Sequence, residues 1–356
     1  MRKILMVTLV LLLLAPFAVN AGDMNSVVVK PTMKINMSFQ SGVSIPMGEQ
    51  PTDHINFALK RLRLILSGDV LEDKIGYMFQ GEGLGEKFLL DMKLIFKNYL
   101  PYTSISVGRF LPNYTYYQPQ SVAKINFVNY PLLTLNYASW RQVGFESRTK
   151  ISNFDLTLGL FNGIDVTDSW SDNNDAKDFL GRLDYSFEAG SLKGTVGVYD
   201  WFGFANGDVY NATSGDWSYS EQLSLNRMGV FVAGEASGAR YAAEYVMGSQ
   251  TVPETPIVGN SWSRVDGVGT VDVSTRAMFV EGMYRVGDVE GLVRWDDYDP
   301  DVDVDDNGNS WLSFGVNYYF PAKGTMIFLN YIMKTEKGDG NEVDNDQVLI
   351  QFQIAF

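Results

Sequence analysis

From Met33 to the terminal Phe356 the chain returns again and again to one pattern, an apolar residue at every second position. Side chains that alternate with a period of two point to opposite faces of a strand, so each run is a ribbon with one apolar and one polar face. The first run sets Met33, Ile35, Met37 and Phe39 against Lys34, Asn36, Ser38 and Gln40. The last sets Val348, Ile350, Phe352, Ile354 and Phe356 against Gln347, Gln351 and Gln353. Between them, Leu90, Met92, Leu94 and Phe96 alternate with Asp91, Lys93 and Lys97, with Ile95 an exception on the polar face. Two further examples are Phe154 to Leu160 and Leu312 to Phe320. About sixteen such runs can be counted, an even number as expected for a closed antiparallel barrel whose ends meet on one side of a membrane.

The connections alternate in length, which separates a membrane barrel from a soluble sandwich. Short turns fall at Asn98 to Pro101, Lys150 to Asn153, Glu188 to Ser191, Ser237-Gly238, Val286 to Asp288 and Pro321 to Gly324. Longer polar connections fall at Ser41 to Asp53, Leu111 to Trp140, Asn162 to Lys177, Phe202 to Glu221, Gly248 to Asp272, Asp297 to Ser310 and Glu336 to Asp346. Outer-membrane barrels carry short periplasmic turns and long external loops, so both termini are expected in the periplasm. Runs that end in aromatics, at Trp140, Trp295, Tyr318-Tyr319-Phe320 and Phe356, suit the interfacial girdles of such a barrel.

The first residues agree with export. Met1-Arg2-Lys3 carries the early charges, an apolar run follows from Ile4 to Val19, and Val19-Asn20-Ala21 offers small residues for cleavage. Residues 1–21 are thus expected to be a signal peptide and 22–356 a single transmembrane domain without a linker. No later segment approaches the roughly 18 uninterrupted apolar residues of a spanning helix. The formal charge of −14 argues against nucleic acid as a partner. The absence of cysteine excludes disulfides, thiolate metal sites and thioether-linked haem.

Motifs for chemistry are sparse. His54 is the only histidine, so any imidazole-based catalysis must use it, and no companion motif surrounds it; an enzyme is not expected, nor a cofactor. Gly81-Glu82-Gly83-Leu84-Gly85 resembles part of a phosphate cradle, but strand alternation follows where a helix should open, so a tight turn is the expectation. Asp301, Asp303 and Asp305, near Asp299, Asp306 and Asn307-Gly308, are spaced like calcium ligands but lack the closing glutamate. A solvated acidic loop is the simpler reading.

Charges on the polar faces of the strands are more informative. Arg61 and Arg63 alternate with leucines, Arg182 neighbours Leu183, and Arg294 lies between Val293 and Trp295. Charge facing lipid costs about 2 to 4 kcal/mol near the midplane, so these arginines are expected to face the lumen. Asp91, Lys93, Lys97, Asp184, Glu244 and Asp296 share that side. A mixed-charge interior implies water and solute rather than a dry core, unless the charges only neutralise one another.

Several stretches resemble the phosphate-selective porin O and P family of Gram-negative bacteria. They include Phe57 through Leu64, Val107-Gly108-Arg109-Phe110, Arg141-Gln142-Val143-Gly144, Leu160-Phe161-Asn162-Gly163 and Gly181-Arg182-Leu183, then Glu244-Tyr245, Arg294-Trp295-Asp296 and Gly315-Val316-Asn317-Tyr318-Tyr319. The resemblance runs in order from about Phe57 to the C-terminus. It implies a sixteen-stranded barrel, a homotrimer in outer-membrane lipid, with a third external loop, here Leu111 to Trp140, folded inward to narrow the pore. Basic residues line the constriction in that family, and Arg61 and Arg63 match best. Arg109, Arg141 and Lys124, the only charge in the third loop, complete the suspected lining. Together these features imply a passive channel for small hydrophilic solutes, with a preference for anions or phosphate. The alternative is a barrel that sheathes a protein partner, as in a porin and cytochrome electron conduit.

Overall fold

The computed structural model describes residues 31–48, 54–84, 88–163, 170–172, 175–211, 213–254, 256–257, 260–265, 268–338 and 343–356. The expected signal peptide lies outside these residues. The strands are β1 (Lys34–Pro46), β2 (Asn56–Leu71), β3 (Ile75–Glu82), β4 (Leu89–Leu100), β5 (Thr103–Phe110), β6 (Gln142–Ile151), β7 (Phe154–Phe161), β8 (Asp178–Ala189) and β9 (Leu192–Asn211). They continue with β10 (Asp216–Ala236), β11 (Ala239–Pro253), β12 (Pro256–Ile257), β13 (Asn260–Val265), β14 (Thr270–Val286), β15 (Val289–Asp299), β16 (Asn309–Tyr319), β17 (Met326–Glu336) and β18 (Gln347–Ala355). One short helix, α1 (Leu132–Tyr137), lies between β5 and β6.

Around the ring neighbouring strands pair antiparallel, and β1 closes on β18 with Phe39 opposite Ile354. β12 and β13 form a side hairpin, and β11 pairs directly with β14. The ring is therefore a closed barrel of sixteen strands. Closure satisfies every sheet edge internally, which is what lets strands cross a hydrocarbon layer that offers no hydrogen bonds.

The expected alternation is visible in burial. On β8, Phe179, Leu183 and Tyr185 are exposed while Asp178, Leu180, Arg182 and Asp184 are buried. The outer face is apolar around the ring, as in Phe57 (79% exposed), Met92, Leu158, Val198, Val230, Val293 and Leu329. Short turns occupy one end, where Asn98, Tyr102, Ser152 and Ser237 adopt positive φ.

Three details differ from expectation. β9 and β10 run on through 202–211 and 216–221, so the connection there shrinks to a turn in which Asn211 Oδ1 accepts from the Thr213 and Ser214 amides at 2.9 and 3.0 Å. Gly203 and Gly207 sit inside β9, and only Gly215 lies in the turn. Trp140 is no girdle residue: it packs on the interior cluster, edge-on to Tyr130 at 5.8 Å. Tyr319 turns inward and donates to Glu290 at 2.7 Å, while its neighbour Tyr318 faces out.

Candidate functional site

The segment 111–140 is mostly buried although it has little regular structure, a 3-10 turn at Val122–Lys124 and the helix α1. Its backbone amides and carbonyls therefore need partners from elsewhere, because an unpaired buried peptide group is costly. Inward side chains of the barrel supply them. The Asn113, Tyr116 and Leu132 amides donate to Glu146, Glu244 and Asp296 at 2.7, 2.7 and 3.1 Å. Arg182 donates to the Tyr114 and Thr115 carbonyls at 2.8 and 2.9 Å, Arg227 to Tyr137 at 2.9 Å, and Arg294 to Asn129 at 3.1 Å. Asn317 and Gln40 donate to the carbonyls of Asn126 and Val122, and Asn330 Oδ1 accepts from the Val128 amide. Gln118 ties the two limbs of the segment together, donating to the Pro112 carbonyl and the Ser139 hydroxyl and accepting from the Ser139 amide.

Aromatic packing completes the attachment. Tyr114 lies edge-on to Tyr199 at 5.1 Å and against Trp201 at 5.0 Å, and Trp201 stacks on Phe161 at 5.4 Å. Gly197 and Gly229 face inward, where a Cβ would collide with the rings of Phe231 and Tyr199. Between its charged anchors this arc of the wall carries aromatic rings inward, packed against the segment, and the expectation of a watery lining does not hold there. Burial pushes the Tyr114 and Tyr117 hydroxyls well above the ordinary phenol range, so both stay neutral.

The segment's hydrogen bonds reach β6, β7 and β8, then β10, β11 and β14 to β18, and finally β1. Among the described residues, none goes to β2, β3, β4 or β5. Inward charges on that remaining arc are mainly basic. Arg61 donates to Gln40 Oε1 at 2.8 Å and forms no ion pair among the described residues. Arg63 pairs with Glu82 at 3.0 Å, Arg141 with Asp91 at 3.2 Å, and Lys97 with Asp69 at 2.5 Å. Lys93 lies over the Phe110 ring, 4.8 Å from its centroid. Lys60 is the extra residue of a bulge opposite Gln40 and Ser41, which changes the face presented by β2 just before Arg61.

The twelve residues expected to line the pore therefore separate by position. Arg61, Arg63, Asp91, Lys93, Lys97 and Arg141 gather on the β2–β5 side. Lys124 is exposed on the covering segment. Arg182, Asp184, Glu244 and Arg294 are buried beneath it, at 7%, 8%, 2% and 1% exposure, and hold it in place instead of meeting open lumen. Arg109 falls opposite Met92, whose side chain faces outward, and lies under the Trp170 ring at 5.0 Å, so the register removes it from the lumen. Glu146, Glu281, Gln40 and Gln118 were not anticipated. The signal for them was a long loop with a single charge, which cannot satisfy its own backbone.

The remaining motifs yield no site. The Asp301 and Asp303 amides are capped by Asp299 and Asp301 carboxylates at 3.3 and 3.1 Å, and no group of three such ligands converges among the described residues. His54 is exposed ahead of β2. Glu82, within the glycine-rich stretch, accepts from the Leu62 amide and Arg63 as β3 ends. On the short-turn side of the segment a recess of about 510 Å³ opens between Tyr116, Asn126, Lys193, Glu235, Arg240 and Glu281.

Known proteins place this architecture. The sequence profile of phosphate-selective porin O and P matches residues 33–356. Solved structures similar in fold include an anion-selective porin from Comamonas acidovorans, with TM-score 0.63 and 13% identity over 92% of this chain and 100% of that one. The outer membrane channel DcaP of Acinetobacter baumannii gives TM-score 0.63 and 13% identity over 92% and 97%. OmpT, an outer membrane protein of Vibrio cholerae in trimer form, gives 0.61 and 13% over 92% and 99%. No curated protein matches the chain in sequence. The chain belongs to the phosphate-selective porin O and P family and is an outer-membrane porin.

Proposed function

We propose that the protein is a passive, anion-preferring channel for small hydrophilic solutes, whose pathway runs between the 111–140 segment and the β2–β5 wall. The observation that carries this reading is the charge on that wall, where Lys60 and Arg61 have no carboxylate in an ion pair among the described residues and Lys93 lies free of any ion pair among them. A hydrated anion passing within about 4 Å of a guanidinium gains about 1 kcal/mol in bulk-like water and about 4 kcal/mol at an effective dielectric of 20. On this reading the segment, hydrogen-bonded to the remaining strands, serves as the constriction. Membership of the porin family supports a conduit rather than an enzyme.

The same reading assigns the short-turn end and both termini to the periplasm, residues 1–21 to a cleaved signal, and the exposed apolar band to lipid and to the neighbours of a homotrimer. A sheath for a protein partner finds no support, since the chain's own segment occupies much of the interior. Liposomes containing the purified protein should swell in small sugars and more slowly as solute size rises. Their swelling in an anionic solute should outpace that in a cationic solute of equal size. Equal rates for the two charges would remove the anion preference, and no swelling would remove the channel.

A further inference from the structure

The inward carboxylates beneath the segment fall into two groups. Asp184 and Asp296 sit beside Arg182 and Arg294 on their own strands, each pair at 2.8 Å. Glu146, Glu244 and Glu281, on β6, β11 and β14, join no ion pair among the described residues and are 5%, 2% and 2% exposed. In place of a cation each meets a neutral donor from the segment. Glu146 accepts from the Asn113 amide and Glu244 from the Tyr116 amide, both at 2.7 Å. Glu281 accepts from the Tyr117 hydroxyl and, at 2.9 Å, from Asn126 Nδ2.

We propose that the 111–140 segment is an electrostatic mask, which covers these three carboxylates, none of them in a direct ion pair among the described residues, with neutral groups and leaves the basic β2–β5 arc to set the selectivity. The proposal rests on the anion-channel reading and adds to it that the preference is made by hiding acid as well as by displaying base. A packed layer is about 10 Å thick, and the Debye length near physiological salt is about 8 Å. A carboxylate facing the lumen would touch a passing ion, whereas one beneath the segment acts across a layer as deep as the screening length. The segment suits this role in composition, because Lys124 is its one charged residue. A bare barrel wall would present Glu146, Glu244 and Glu281 directly to solute.

Phe110 and Gln142 are paired neighbours on β5 and β6, so residues 111–140 can be replaced by a hairpin turn of about four residues. The zero-current potential in a potassium chloride gradient should lie on the anion side for the full chain and change sign for the shortened one. Glu146→Gln, Glu244→Gln and Glu281→Gln together should return the shortened channel toward anions while leaving the full-length channel's sign unaltered. A shortened channel that keeps its anion preference, or a triple variant that shifts both channels equally, overturns the mask. A full-length channel with no anion preference defeats the channel reading itself, which keeps the two failures apart. Should the shortened chain not insert, thiol labelling of the full-length protein decides, since the chain has no cysteine of its own. An anionic methanethiosulfonate reagent should modify Ser106→Cys on the uncovered arc and spare Ala277→Cys beneath the segment. Equal labelling of both contradicts the proposal.

Discussion

The uncompensated Arg61 should govern selectivity more strongly than the Arg63–Glu82 pair, although the two arginines stand two residues apart on one strand. Arg61 is bonded to the neutral Gln40 side chain at 2.8 Å and keeps its charge uncompensated, whereas Arg63 faces Glu82 at 3.0 Å and presents little more than a dipole. Replacing Arg61 with Gln removes about 1 kcal/mol of attraction for an anion at about 4 Å in bulk-like water, and a similar repulsion of a cation. The two effects together lower the anion-to-cation permeability ratio by up to roughly 30-fold. Removing both members of the Arg63–Glu82 pair, in Arg63→Gln/Glu82→Gln, should change it much less, because the net charge there is zero before and after. The acidic surplus of the whole chain, −14, does not reverse this order. Mid-barrel residues lie roughly 12 Å from the loops in an apolar band about 25 Å tall, beyond a Debye length of about 8 Å. Planar bilayers with each variant, under a salt gradient, read the ratio from the zero-current potential, and discrete conductance steps confirm an intact barrel. A larger shift for the Arg63→Gln/Glu82→Gln double variant than for Arg61→Gln would refute the reasoning from uncompensated charge.

Other consequences are testable by simpler means. Tyr117→Phe deletes one of two donors to the buried Glu281, leaving Asn126, and a lost hydrogen bond to a buried charged group costs about 1.5 to 3 kcal/mol, so thermal unfolding of the folded form should begin at lower temperature; an unchanged transition contradicts the anchor. Protease added to intact cells should cut within Asp301 to Asn307 and spare Pro321 to Gly324, and cleavage at the latter would reverse the assigned orientation. Calcium should give no saturable heat on titration, because the Asp299 and Asp301 carboxylates already cap their own loop; a saturable isotherm contradicts this.

The barrel was legible because its outer face answers to one solvent. Lipid demands apolar side chains at alternate positions all the way round, so Leu94, Leu158, Val293 and Ile350 announce their strands regardless of what lies inside. The inner face answers to two surroundings, water on one arc and the chain's own segment on the other, and period-two reasoning cannot tell them apart. Arg61 and Arg182 look alike in sequence, each a basic residue followed by a leucine on a strand that alternates. Only the path of residues 111–140 makes one a lining charge and the other a donor to the Tyr114 and Thr115 carbonyls. Arg109 was misplaced for a different reason. Its face is set by pairing with Met92, and Gly108 at φ +135° departs from regular strand geometry next to it. The aromatic residues of 111–140 and the inward glycines Gly197 and Gly229 did hint at a packed interior, since a solvated loop has no need of five tyrosines and a wall needs such gaps only where rings lie flat against it.

The most direct test of the account is a single-channel recording of the unmodified full-length protein in a planar bilayer under a potassium chloride gradient. Stable conductance steps with a zero-current potential on the anion side are predicted by a pathway that runs along the β2–β5 wall. A closed barrel that passes no current, or steps with a cation-side potential, would contradict it.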